Sequence, residues 1–101
     1  SNLVSIGNNL IQNPDSYVLM QNFPNPFNPE TSISFNLPKS SFVELKIFDS
    51  KGSEVSTLVN ENLQTGSYQY NFKANNLPSG VYLYRLRTSD FSETKRMILL
   101  K

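Results

Sequence analysis

The most constraining feature of this 101-residue chain is the alternation of apolar and polar residues in several short segments. In residues 31–37, the apolar side chains of Ile33, Phe35 and Leu37 alternate with serine and asparagine. A period of two places the apolar side chains on one face of a β-strand, whereas a helix needs a period of 3.6. The same alternation predicts strands over residues 43–47, 68–72 and 82–87.

Weaker patterns predict three further strands, over residues 17–21, 54–59 and 94–100, which brings the expected number to seven. The composition agrees with strands, because Ala74 is the only alanine while β-branched and aromatic residues are frequent. A chain of this length is sufficient for one domain and one apolar core.

Turn residues separate the predicted strands. Glycine or proline occurs in residues 49–52, 64–66 and 77–80, where we expect antiparallel hairpins, the last closed by a type I turn. Residues 89–90 are expected to close the final hairpin. Short strands divided by such turns predict an all-β fold, an immunoglobulin-like antiparallel β-sandwich of about seven strands.

Composition excludes several classes of function. Histidine and cysteine are absent, which excludes disulfide frameworks, cysteine nucleophiles and the Ser-His-Asp triad. Nine basic and eight acidic residues leave a net charge of +1, whereas nucleic-acid binders gather a basic excess in one place. The longest apolar run, residues 97–100, is far shorter than the roughly 20 residues of a membrane span. We therefore expect no nucleic-acid partner, no membrane insertion and no catalysis.

Few side chains suggest chemistry. Ser92 and Lys95 have the Ser-x-x-Lys spacing of serine acyltransferases, but positions three apart in a strand point to opposite faces. Asp49 and Glu54 flank one turn and are interpreted as solvated hairpin charges. A calcium site at Asp49 or Asp90 stays an open alternative, although no Asp-x-Asp-x-Asp loop exists. We expect no metal and no cofactor.

A set of aromatic residues has two interpretations. An exposed platform for sugar stacking is one, and cross-strand pairs facing the core are the other. The absence of tryptophan and the strict alternation with polar residues favour the core. The set comprises Tyr68, Tyr70, Phe72, Tyr82 and Tyr84.

The proline segment (residues 22–29) holds three prolines, which fix φ and remove three hydrogen-bond donors. We expect it to be extended and stiff, to lay Phe23 and Phe27 across an open edge of the sandwich, and to protect that edge from strand addition.

Residues 1–16 are rich in serine and asparagine and are interpreted as a linker, with an extra edge strand as the alternative.

The tail (residues 95–101) is basic on both sides of an apolar run. Its alternate residues Lys95, Met97, Leu99 and Lys101 share one strand face, and Arg96, Ile98 and Leu100 share the other. Neither face is cleanly apolar, so the pattern does not decide which of them packs against the core.

Four motifs follow one another between residues 17 and 101. They are Leu19-x-Gln21-Asn22-x-Pro24-Asn25-Pro26-Phe27-Asn28-Pro29-x-Thr31-x-Ile33-x-Phe35-x-Leu37-Pro38, Ile47-Phe48-Asp49-x-x-Gly52, Leu77-x-Ser79-Gly80-Val81-Tyr82-x-Tyr84-Arg85-Leu86 and Lys95-Arg96-Met97-x-Leu99-x-Lys101. Together they resemble the type A C-terminal sorting domain of the type IX secretion system. The resemblance implies a sorting domain over residues 17–101, at the end of a larger secreted protein.

The resemblance also implies partners and a location. A precursor with an upstream leader and cargo domain would reach the periplasm, where the translocon recognises the sorting domain and exports the protein to the cell surface. A sortase-like peptidase would then remove the domain, with residues 8–16 as the expected cleavage region. We expect a monomer.

The resemblance assigns roles to individual residues. The recognition residues would be Gly80 and Tyr82 of the Gly-x-Tyr motif, with Lys95, Arg96, Met97, Leu99 and Lys101 of the tail. The structural motif would be Pro24, Asn25, Pro26 and Phe27. Two alternatives stay open: an assembly module similar to the immunoglobulin-like domain of flagellar hook-capping proteins, and an accessory carbohydrate-binding module of a secreted glycosidase.

Overall fold

The computed structural model describes residues 15–101, and the regular elements in this range are all β-strands. They are β1 (Val18–Leu19), β2 (Glu30–Leu37), β3 (Ser41–Asp49), β4 (Glu54–Leu63), β5 (Gly66–Lys73), β6 (Gly80–Arg87) and β7 (Ser92–Leu99). A three-stranded sheet has the order β1-β2-β5, and a four-stranded sheet has the order β4-β3-β6-β7. All pairs within these sheets are antiparallel, so the predicted seven-stranded immunoglobulin-like sandwich is confirmed. Residues 1–14, with most of the predicted linker, lie outside the described part.

The core lies between the two sheets and is built from the alternating apolar residues. In β2 the three predicted inward side chains are fully buried, and the polar residues between them face the other way. Strands β3, β6 and β7 bury their own alternate residues against them. The side chains with no exposed surface at all are Ile33, Phe35, Leu37, Val43, Leu45, Ile47, Tyr84, Leu86, Met97 and Leu99.

The aromatic set faces the core. Tyr68 and Tyr70 of β5 stack on Phe35 of the neighbouring strand, with ring centroids 5.5 and 5.9 Å away. Phe72, Tyr82 and Tyr84 are buried. These five side chains therefore do not form an exposed platform, and the interpretation as core pairs is confirmed.

Two of the predicted hairpins are correct and two are wrong. Residues 49–52 join β3 to β4, and the Oδ1 atom of Asp49 accepts hydrogen bonds from the amides of Lys51 and Ser53. Gly52 follows with a φ of +90°, a conformation that L side chains rarely adopt. Residues 89–90 likewise join the paired strands β6 and β7.

The connections after β4 and β5, by contrast, cross between the sheets. The hydrogen-bonded turn before β6 runs from Ala74 to Leu77 (3.2 Å), and Gly80 is already the first strand residue. Turn residues mark a change of direction but do not choose the partner strand. Strand β5 pairs with β2 because its tyrosines cover Phe35 there.

The proline segment is bent instead of extended. Phe23 pairs with Ser32 of β2, while Phe27 pairs in parallel with Leu99 of β7, so the segment passes from one sheet to the other. Prolines lack the amide that a regular strand would need, which stops the segment from following either edge. Phe27 is buried at 2% exposure, whereas Phe23 is 79% exposed. The prediction that both phenylalanines lie across an open edge of the sandwich is therefore confirmed for Phe27 and wrong for Phe23.

The two ends of the sandwich differ in what they carry. Val18 of β1 lies opposite Asn36 near the end of β2, so the chain enters at what we call the linker end. The proline segment, the start of β6 and the end of β7 meet at the opposite end, which we call the tail end. The molecule measures 46 Å along its longest axis. The predicted linker and the tail are thus attached to opposite ends of the domain.

We expect the two phenylalanines of the proline segment to respond very differently to truncation. Phe27→Ala removes a fully packed ring and should lower the free energy of unfolding by about 3–5 kcal/mol. Phe23→Ala removes an exposed ring and should change it by less than about 0.5 kcal/mol. Urea denaturation of both variants checks this, and equal losses would contradict the proposed placement of Phe27.

Candidate functional site at the tail end

The last strand has one buried and one exposed face. Met97 and Leu99 are fully buried between the sheets. Arg96 and Leu100 are exposed and Ile98 is partly exposed, so these three face solvent. The tertiary structure thereby decides the register that the tail sequence left open, since only the face with Met97 and Leu99 fits the core.

The proline segment covers the end of the free edge of β7. The Phe27 amide donates to the Ile98 carbonyl (2.9 Å), and the Leu100 amide donates to the Phe27 carbonyl (3.0 Å). The Ile98 amide donates to the Oδ1 atom of Asn25 (2.9 Å), and Nε2 of Gln21 donates to the Arg96 carbonyl (2.8 Å). The end of β7 is thus held from both sides, by β6 and by Gln21, Asn25 and Phe27.

Tyr84 connects this segment to the core. Its hydroxyl donates to the Met20 carbonyl (2.7 Å) and accepts a hydrogen bond from the Asn22 amide (2.8 Å). Burial raises the pKa of Tyr84 to about 12, because the phenolate would lose its hydration. The neutral phenol of one β6 residue therefore fixes the chain just before the prolines.

A second buried group stabilises the bend itself. The side-chain amide of Asn22 donates to Oγ1 of Thr31 (2.9 Å) and to the Pro24 carbonyl (3.1 Å). The Thr31 hydroxyl donates to the same carbonyl (2.8 Å). Asn22 and Thr31 are both buried, and these bonds satisfy polar atoms that would otherwise be costly inside the protein.

The final residue is attached to the loop between β5 and β6. The Lys101 amide donates to Oγ of Ser79 (2.9 Å), and its Nζ atom donates to the Asn75 carbonyl (2.6 Å). The hydroxyl of Tyr82 donates to the Pro78 carbonyl (2.7 Å) and so positions the same loop. The Gly-x-Tyr motif and the tail thus meet at the tail end.

The predicted recognition residues fall into two groups. Gly80, Arg96 and Lys101 are exposed, and Lys95 is partly exposed with its ammonium 3.4 Å from the Glu93 carboxylate. Tyr82, Met97 and Leu99 are buried and hold the strand in place. In the folded domain, only the first group is accessible to a partner.

Sequence reasoning missed residues that belong to this site. Gln21 binds the edge of β7 and Asn22 shapes the bend. The first motif contains both residues, but their polar side chains follow no periodicity that would predict these contacts. Val81, Ile98 and Leu100 were not chosen as recognition residues although they are exposed or partly exposed beside Arg96. Their position follows from the register, which places Val81 opposite Ile98.

The residues considered for catalysis lie on strands β3, β4 and β7. Ser92 is exposed while Lys95 lies on the inward face, so the expectation that they face opposite ways is confirmed. Glu54 forms an ion pair with Lys46 at 3.3 Å. Among residues 15–101, no three acidic side chains are grouped as a metal site would require. The same residues contain no helix suited to crossing a membrane.

The sequence matches the model of a known protein family. A family model described as the secretion system C-terminal sorting domain matches residues 21–100. This range contains the proline segment, the Gly-x-Tyr motif and nearly all of the tail. A search of curated proteins gave no match.

We expect removal of the Tyr84 hydroxyl to destabilise the domain measurably. Tyr84→Phe removes the hydrogen-bond partner of the partly buried Met20 carbonyl and of the buried Asn22 amide, and should lower the free energy of unfolding by about 1–3 kcal/mol. Tyr68→Phe is the matched control, because that hydroxyl donates to the exposed Gln64 carbonyl (2.7 Å) and water can replace it. Urea denaturation at neutral pH makes the comparison, and equal effects of the two variants would contradict it.

The raised pKa of Tyr84 also predicts a pH dependence. The folded state keeps the phenol protonated up to a pKa of about 12, whereas an unfolded tyrosine ionises near 10. The contribution of the protonated Tyr84 hydroxyl to the free energy of unfolding is therefore complete below about pH 10 and is lost as the pH rises through about 12. Between those values the wild type should lose about 2–3 kcal/mol more than Tyr84→Phe. Urea denaturation at several pH values measures this difference. An equal loss of unfolding free energy in both proteins between about pH 10 and pH 12 would refute the prediction.

Proposed function

Because the chain belongs to the family of type IX secretion system C-terminal sorting domains, we propose that it carries a larger upstream protein through the outer-membrane translocon to the cell surface. In this proposal the precursor reaches the periplasm by its own leader and the sorting domain folds there. The translocon then recognises the folded domain as a monomer. The upstream cargo determines the activity of the whole protein.

The observation that carries the proposal is that motifs far apart in the family match meet at one end of the sandwich. Phe27 pairs with Leu99, Asn25 binds Ile98, and Lys101 binds Ser79 just before the Gly-x-Tyr motif. Hydrogen bonds of this kind give the tail a defined shape. A receptor can therefore read a rigid surface and avoid the entropy cost of ordering a flexible peptide.

The proposed recognition residues divide by their accessibility. Gly80, Lys95, Arg96 and Lys101 would contact the receptor, since each has exposed surface in the folded domain. Tyr82, Met97 and Leu99 would contribute indirectly, by holding β6 and β7 in register. Substitution of the buried group should thus reduce export by unfolding the domain, and substitution of the exposed group should reduce it without unfolding.

We also propose that a sortase-like peptidase cuts within residues 8–16 and that the released cargo is then attached to the cell surface. The support is the opposite placement of the two ends. The chain enters at the linker end, so a peptidase can reach the linker while the translocon holds the tail end. The two events would then take place at opposite ends of the domain.

A reporter fusion tests the proposed function. Residues 1–101, placed behind a leader and a reporter in a host with the type IX system, should deliver the reporter to the cell surface. Protease accessibility on intact cells and cell fractionation measure the outcome. A host without the system should retain the reporter in the periplasm. Retention in both hosts would overturn the proposed function.

The role of the tail is tested with single substitutions. Lys101→Ala removes an exposed lysine and its bond to Asn75. It should reduce surface delivery about tenfold, which is the effect expected for the loss of one charge-assisted contact with the receptor. Lys51→Ala is the matched control, since that lysine is exposed in the β3–β4 hairpin and should not affect export. Urea denaturation must show that both variants are folded. Equal export of the two would show that Lys101 is not read.

A further inference from the structure

The outer face of the four-stranded sheet carries an apolar patch next to the tail. Residues that alternate with the core positions of β3, β6 and β7 point to this face. Val81 of β6 lies opposite Ile98 of β7, and Leu83 of β6 lies opposite Phe48 of β3. We call these residues, with Leu100, the outer patch: Phe48, Val81, Leu83, Ile98 and Leu100.

The outer patch has exposed apolar surface within the described protein. Leu100 is 55% exposed and Val81 is 38% exposed, while the other three are partly exposed. Single exposed apolar residues are common, but a contiguous group across three strands is typical of an interaction surface. A flat sheet face of this kind suits contact with another folded surface.

The charges around the outer patch are not balanced. This face carries the cations Lys46, Arg85, Arg87 and Arg96 and two carboxylates, on β3 and β4. Both carboxylates are already engaged, since Glu54 pairs with Lys46 at 3.3 Å and Glu44 pairs with Arg87 at 2.6 Å.

Two arginines are left over. Within residues 15–101, neither Arg85 nor Arg96 has an acidic group within 4 Å. Residues 1–14 contain no Asp or Glu that could pair with them. A chain with a net charge of +1 thus concentrates two unpaired cations beside one apolar surface.

Arg85 is held against the outer patch by an aromatic ring. Its guanidinium carbon lies 4.9 Å from the centroid of the Phe48 ring, which restricts the side chain by cation–π stacking. The Nε atom is buried without a hydrogen-bond partner among the described residues. Because the covered Nε–H cannot reach another protein, a carboxylate would bind the terminal guanidinium nitrogens, which form no ion pair among residues 15–101.

From this juxtaposition we infer that the outer face of β6 and β7 is a docking surface for a protein that presents carboxylates beside apolar side chains. The inference rests on the proposed function, because the occupant would be a component of the export machinery. It extends the recognition site beyond the tail to Val81, Leu83 and Arg85 of β6. The tail and this face would be read together, since Arg96 belongs to both.

Charge and shape favour this occupant over two others. A second copy of the chain would bring arginines against arginines, since the carboxylates of this face are already paired. An anionic membrane surface is typically bound by clusters of four to eight basic residues, and only two unpaired arginines lie here. An acidic and apolar protein surface satisfies both the patch and the cations.

The test uses β6 substitutions, because they leave the tail sequence unchanged. In the reporter fusion of residues 1–101, Val81→Ser with Arg85→Glu should lower surface delivery at least tenfold. Urea denaturation should show that the variant domain is still folded. Val18→Ser with Lys51→Glu is the matched control, since Val18 is 36% exposed in the other sheet and Lys51 is an exposed cation. The control should be exported normally.

A binding assay identifies the occupant. The domain should bind detergent-solubilised outer-membrane translocon from the same host, more weakly as ionic strength rises. Arg85→Lys with Arg96→Lys should retain part of this affinity, whereas Arg85→Gln with Arg96→Gln should lose about a hundredfold, which is tenfold for each of the two charged contacts. Unchanged affinity of the glutamine variant would refute the acidic character of the partner.

The remaining outcomes are equally decisive. If the wild type and the variant with Val81→Ser and Arg85→Glu are both exported normally, the inference of a docking surface is overturned and the proposed function stays intact. Failure of wild-type export would overturn the proposed function. Patch-dependent dimers in sedimentation experiments, or patch-dependent binding to vesicles of phosphatidylcholine and phosphatidylglycerol without translocon binding, would assign the surface to another occupant and refute the inference.

Discussion

The pairing of Phe27 with the end of β7 is the interaction on which the tail end depends. Its ring is buried in the core, and its backbone makes two hydrogen bonds to the last strand. The connection between β1 and β2 thereby becomes a partner of residues more than 70 positions further along the chain. Without it, the amides and carbonyls at the end of β7 would form an open edge, which invites uncontrolled strand addition.

The hydroxyl of Tyr84 and the side chain of Asn22 keep the proline segment in this position. Both are buried, and together they satisfy the carbonyls of Met20 and Pro24. Stability and proposed recognition are consequently linked, because the residues that would be read lie on a strand held by these buried bonds. A tail presented in this way has one shape, and its exposed arginine and lysine have defined positions relative to the outer patch.

Much of this structure could be predicted from the sequence, for a specific reason. Where one face of a strand is apolar, as with Ile33, Phe35 and Leu37, alternation identifies both the strand and its buried side. The tail lacks that signal, since Met97 and Ile98 are both apolar on opposite faces. The turns at residues 64–66 and 77–80 were misassigned as hairpins because local turn residues say nothing about which sheet the next strand joins. The contacts of Gln21 and Asn22 could not be predicted, because a polar side chain becomes structural only through distant partners.

The amino-acid sequence by itself determined the all-β class, the strand segments, the core-facing aromatic set and the four motifs of the family, because each depends on local periodicity or on residue order. The tertiary structure alone decided the facing of β7, the bend of the proline segment and the meeting of the motifs at one end. These features arise from contacts between residues far apart in the chain, where burial of Phe27, Met97 and Leu99 in a shared core selects one arrangement among several that the pattern allows.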